Sequence, residues 1–178
     1  GVFSAQDLEP RRENYGSLRK FIAQLHVESN AGPVTNVMTD ETWKWSQSGV
    51  IRSSDLIDGE SQDWRSEQRG WDKAEFDENG WKPVVASKAG PELFARVAAP
   101  IHEQAEIRAV SFKELRPRIY LYDFGQVISG VVRVNVDLKD FATMQLRHGE
   151  ALDEAGNLYV GNLRRAGQTD RLTLRPGQ

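Results

Sequence analysis

Cysteine is absent from the 178 residues, which removes disulfide frameworks, thiolate metal sites and thiol nucleophiles together. Histidine is scarce: His26, His102 and His148 lie far apart with no metal-ligand spacing. Charge of one sign is lacking too. The chain carries 23 Lys and Arg against 26 Asp and Glu, a formal net charge of -3, and its basic residues are scattered among acids. That distribution argues against nucleic acid as a partner. No run approaches the roughly 18 apolar residues needed to cross a bilayer, and no charged-then-apolar leader opens the chain. It reads as soluble, with no membrane partner and no address separating cytoplasmic from secreted. Walker, dinucleotide and G-x-S-x-G words are missing as well, so no cofactor is required.

What is present is mostly strand signal. After a polar, irregular opening over 1–17, Phe21, Ala23, Leu25 and Val27 alternate with Lys20, Gln24, His26 and Glu28, the period of a half-buried strand, with Ile22 out of phase. Asn30, Gly32 and Pro33 supply turn chemistry, and PVTNVMTD reads as the return strand of a hairpin. All five tryptophans follow, at 43, 45, 64, 71 and 81. Trp43 and Trp45 share a strand parity, whereas the other three sit near turns. A helical turn fits after Arg65 and a short helix after Pro91. The stretch 101–115 reads as a strand, and across 120–140 and 144–174 two alternating strand-like stretches flank a carboxylate-rich turn.

Three groups of residues carry candidate chemistry. The first is Ile57-Asp58-Gly59-Glu60-Ser61-Gln62-Asp63-Trp64-Arg65, where Glu60, Asp63 and Arg65 are suited to paired hydrogen bonds with sugar hydroxyls. The same three residues equally suit an internal ion-pair network. The second is Gly70-Trp71-Asp72 with Phe76-Asp77-Glu78-Asn79-Gly80-Trp81. There Trp71 offers a ring to an apolar sugar face, and Asp77, Glu78 and Asn79 offer hard oxygen donors of the kind calcium takes. A plain Asx turn has the same composition. The third comprises Asp123, Gln126, Arg147, His148, Glu150, Asp153, Arg164 and Asp170. Strand parity places His148 and Glu150 together, yet no pair of carboxyls has the fixed separation that glycoside hydrolysis needs.

The words Asp123-Phe124-Gly125-Gln126, Arg147-His148-Gly149-Glu150, Leu152-Asp153, Leu158-Tyr159, Asn162-Leu163-Arg164 and Thr169-Asp170 resemble those of bacterial-type α-L-rhamnosidases. The first word of the preceding paragraph resembles the amino-terminal domain of that family, with Gln62 and Trp64 where Tyr and Ala are common. The resemblance implies an all-β chain of two antiparallel β-sandwich, jelly-roll-like units, incomplete at both ends: 1–95 an amino-terminal sandwich and 96–178 a concanavalin-like one. It implies a parent enzyme that removes terminal α-L-rhamnosyl groups with a helical barrel after this region, so that no residue here is catalytic and this segment alone is inactive. Its partners are then the remainder of the parent chain, above all the barrel, and an L-rhamnose-containing glycoside. The alternative is a non-catalytic carbohydrate-binding module taking rhamnose with calcium through Glu60, Asp63, Arg65 and Trp71.

Overall fold

The computed structural model describes residues 18–28, 30, 32–87, 92–94 and 97–177. The opening loop over 1–17 lies outside them, and the helix expected after Pro91 lies partly outside. Twelve short strands and two single 3-10 turns make up the regular structure, and among the described residues there is no α-helix. The all-β expectation holds.

Contacts divide the chain into two compact units that interleave in sequence. One takes Gly1–Ser46 and Asn79–Ala95, the other Gln47–Glu78 and Arg96–Gln178. In the first unit the expected hairpin forms from β1 (Gln24–Val27) and β2 (Thr35–Met38), paired antiparallel with Leu25 opposite Val37. Thr39 extends it, its N–H donating to the Ala23 carbonyl at 3.1 Å. A second ladder joins β3 (Lys44–Trp45) to β6 (Lys82–Pro83). Pro83 lacks an N–H and is tolerated in such a short edge pairing, while its carbonyl accepts from Trp45 Nε1 at 3.2 Å. Trp43 packs on Phe21 with ring centres 6.2 Å apart.

The second unit is built on a four-stranded sheet in the order β4 (Ile51–Asp55), β5 (Gly59–Asp63), β12 (Thr169–Leu174), β9 (Ala142–Arg147). Strands β4 and β5 pair antiparallel, as do β12 and β9, but β5 and β12 pair parallel, with Ser61 opposite Arg171 and Gln62 opposite Leu172. Alternation along β9 leaves Ala142, Met144 and Leu146 half-buried and the intervening residues exposed, as a sheet with one covered face requires. Two hairpins complete the unit: β7 (Ser111–Arg116) with β8 (Ile119–Asp123), and β10 (Ala151–Leu152) with β11 (Leu158–Tyr159).

Three expectations are corrected. The strand expected over 101–115 forms a ladder only from Ser111 onward, and the alternating stretch after β8 forms none. Alternation marks a chain that can present two faces, but a strand also needs a neighbour to take its backbone groups. The helical turn expected after Arg65 begins before it, as a 3-10 turn over Trp64–Ser66.

The β4–β5 turn depends on Gly59. Its φ is +99°, and a Cβ there would lie 2.3 Å from the Thr169 carbonyl oxygen, so both backbone strain and a main-chain collision oppose any side chain. Gly156 has a similar φ of +80° with nothing within 4 Å. Gly59→Ala is therefore expected to cost at least about 2 kcal/mol and Gly156→Ala about 1 kcal/mol. Urea unfolding of both variants checks this, and equal losses would show that the approach to Thr169 is not limiting.

Candidate functional site

Strand β5 sends alternate side chains to opposite faces of its sheet. Glu60 and Gln62 share one face, joined by Trp64 just past the strand end: Trp64 Nε1 donates to Gln62 Oε1 at 2.7 Å, and Gln62 Nε2 donates to Glu60 Oε1 at 2.5 Å. The neighbouring strand closes this chain. Asp170 Oδ1 accepts the Glu60 backbone N–H at 2.8 Å, and Asp170 Oδ2 lies 3.1 Å from His148 Nε2. One carboxylate thus joins β5, β12 and the end of β9, with its side chain about one-third exposed.

Asp63 faces the other way. It caps the 3-10 turn by accepting the Arg65 N–H at 3.1 Å and receives the Arg65 guanidinium in a fork, Nε at 2.8 Å and Nη2 at 2.7 Å. Glu60 and Asp63 therefore do not converge. The Arg65 hydrogen bonds hold the Asp63 carboxyl down at about 2, the direction expected when donors favour the charged form. Glu67, just past this turn, pairs with Arg175 and, at 3.4 Å, with Arg69.

The second candidate group lies beyond. Trp71 is 65% exposed, and Arg69, Gly70, Lys73, Glu75, Phe76 and Asp77 line an open cleft of about 380 Å³. Glu78 is exposed, and Asn79 begins the turn before Trp81. Among the described residues no three His, Asp or Glu side chains form a group able to hold a metal ion.

The third group divides. Asp170 and His148 meet, whereas Glu150 lies exposed past the end of β9. Asp123 accepts from the Gly125 N–H at 2.7 Å, tightening a turn. Asp153 closes the β10–β11 turn, with Oδ1 accepting the N–H groups of Asn157 at 2.8 Å and Ala155 at 3.0 Å. The Asn157 backbone N–H, followed by its side chain, lowers the Asp153 pKa. Asp40, in the other unit, is lowered by the Thr42 hydroxyl and then the Thr42 N–H. A glycosidic general acid needs the opposite shift.

Sequence reasoning places Glu60 and Asp170 in separate groups and misses their link across 110 residues. It treats Gln62 and Trp64 as departures from a family pattern, although their spacing from Glu60 puts all three on one face.

Residues 1–105 match the family described as the α-L-rhamnosidase N-terminal domain, and 113–178 match the bacterial α-L-rhamnosidase concanavalin-like domain. An α-L-rhamnosidase of Streptomyces avermitilis is 36% identical over 163 residues, covering 90% of this chain and 16% of the relative. One from Alteromonas sp. (strain LOR) is 30% identical over 172 residues, covering 96% and 19%. The crystal structure of the Streptomyces avermitilis α-L-rhamnosidase complexed with L-rhamnose superposes with a TM-score of 0.78 and 36% identity, covering 88% of this chain and 15% of that one. The chain spans less than a fifth of the length of these relatives.

Two outcomes test the geometry. Carbon-detected NMR titration should place the Asp63 midpoint near 2, and Arg65→Ala should return it toward the ordinary value of 3.8. With the folded pKa depressed, the stabilisation from this pair is complete above the ordinary value and disappears as pH falls through about 2. Asp170→Ala should lower unfolding stability by about 1–3 kcal/mol, because it leaves the half-buried Glu60 N–H without its acceptor. A loss below about 0.5 kcal/mol in chemical unfolding would remove Asp170 from its organising role.

Proposed function

The chain belongs to the bacterial α-L-rhamnosidase family, matching its N-terminal and concanavalin-like domains, and from that premise we propose that these residues are a non-catalytic support within such an enzyme. The parent protein hydrolyses terminal α-L-rhamnosyl groups of glycosides on a barrel outside this segment, against which the segment packs. One observation carries this reading: Asp63, Asp153 and Asp170, acidic residues of the family words, are bound to their own neighbours. Asp170 holds Glu60 and His148, Asp63 holds Arg65, and Asp153 holds Asn157. Hydrolysis needs two carboxyls facing one glycosidic bond, one kept protonated. The resolved shifts at Asp40, Asp63 and Asp153 all run downward.

A second reading rests on the exposed Trp71 beside the cleft of Arg69, Lys73 and Asp77. An aromatic face next to polar groups suits a sugar ring, and this makes the segment a rhamnose-binding module. Calcium would enter through Asp77, Glu78 and Asn79. Glu60 and Asp63, on opposite faces of β5, would not share one sugar.

The 178-residue chain is expected to release no product from an aryl α-L-rhamnoside across the mildly acidic to neutral range. Measurable turnover that disappears in Asp170→Asn would overturn the support role. Calorimetric titration of L-rhamnose with and without calcium separates the two readings. Saturable heat abolished by Trp71→Ala would establish the binding module, whereas a folded sample giving no heat leaves the support.

A further inference from the structure

Two pairs in the chain set Asp or Asn directly before Gly: Asp58-Gly59 and Asn79-Gly80. Such a pair can cyclise on itself, because glycine brings its backbone nitrogen to the preceding side-chain carbonyl carbon with no Cβ in the way. The fold treats the two pairs differently. Asp58 is held, its carbonyl accepting the Thr169 N–H at 3.1 Å and its Oδ1 accepting the Gly167 N–H at 3.2 Å. Gly59 behind it is pressed on the Thr169 carbonyl and paired in the β4–β5 ladder. Moving the Gly59 nitrogen onto the Asp58 side chain would break these contacts. Asn79-Gly80 instead lies in an exposed turn between Glu78 and the half-buried Trp81. Gly80 has a φ of +89°, and the place its Cβ would take has nothing within 4 Å. Glycine adopts either sign of φ at little cost, so this turn rotates into the attacking geometry without displacing packed atoms.

We propose that Asn79 is a modification site of this chain, converted by spontaneous deamidation through the Gly80 backbone. The Gly80 nitrogen, its proton passing to solvent base, bonds to Asn79 Cγ. The Cγ–Nδ2 bond breaks, and Nδ2 leaves as ammonia with a proton from solvent, giving a cyclic imide. Water is the co-reactant and opens the imide at either carbonyl, to aspartate or to isoaspartate. Nothing is oxidised or reduced, and no other residue, metal or partner enters the balance.

Either product places a carboxylate directly after Asp77 and Glu78. Isoaspartate also lengthens the backbone by a methylene just ahead of β6. That strand pairs with β3 in the same compact unit, its Lys82 ammonium lying 5.6 Å from the Trp45 ring centre and the following Val84 N–H donating to the Trp43 carbonyl at 3.1 Å. The longer backbone therefore pulls on the β3–β6 ladder, which aspartate at the same position does not.

Prolonged incubation of the folded 178-residue chain at neutral to mildly alkaline pH, followed by peptide mapping with mass spectrometry, tests this. An oxygen should replace an NH at Asn79, faster as pH rises, while Asn157 and Asn162 keep their amides. Asp58 should yield isoaspartate only in a sample unfolded in guanidinium chloride. Gly80→Ala should slow the conversion at least about tenfold, since a Cβ crowds the attack and opposes a positive φ. Asn79→Gln, which must close a larger ring, should keep its amide. The isoaspartate form, separated by anion exchange, should unfold at lower denaturant than Asn79→Asp, which adds the charge without the methylene. An Asn79 that keeps its amide in the folded chain, a Gly80→Ala variant that converts as fast, or a folded Asp58 that isomerises as fast as Asn79 converts would each overturn the proposal.

Discussion

The carboxylate of Asp170 makes two contacts that no local sequence could provide, one with the Glu60 backbone and one with His148. Strand β12 consequently has a polar attachment to the strand on each side, as well as its ladders. Its two end residues are the best covered in the described chain: Thr169 and Leu174 are each 5% exposed. The four-stranded sheet of the second unit is arranged around this strand. The β4–β5 turn presses Gly59 onto Thr169, the 3-10 turn stands at the end of β5, and β9 lines the far side. Outside this sheet, the two-stranded hairpins have little covered surface, and two strands alone are marginal in water.

The same network explains why acidic words that look like chemistry are read here as architecture. A carboxylate can receive several donors, and each donor it accepts makes proton release easier and proton delivery harder. Asp63 with its guanidinium fork and Asp153 with its turn amides are both held in the charged form. Glu60 is committed sideways to Gln62. These residues trade reactivity for position, which fits the proposed support role.

Much of the fold is legible from alternation and turn chemistry. The β1–β2 hairpin follows from the parity of Leu25 and Val27 and from the turn residues Asn30, Gly32 and Pro33, and the alternation of Ala142, Met144 and Leu146 marks the buried side of β9. Alternation misleads at 101–110 and 127–138, because it reports side-chain preference and carries no information on whether a neighbouring strand is within reach. The site is legible in composition but not in grouping. Glu60, Asp63 and Arg65 form one word in the sequence, whereas strand parity splits them, and Glu60 finds its companion in Asp170. Pairings across 110 residues leave no local trace in a single sequence.

The parallel pairing of β5 with β12 also has a consequence in time. A parallel pair needs a long crossover, and here the interval between partners is 110 residues, so its loop-closure entropy must be met before the contact returns anything. On the ribosome, residues 51–63 emerge well before the strand that will lie beside them. Through that interval β4 and β5 have only each other, with the Glu60 amide and the Gly59 turn lacking their partners. The four-stranded sheet thus forms only once β12 arrives, and its earliest strands are its most exposed to wrong pairing during synthesis.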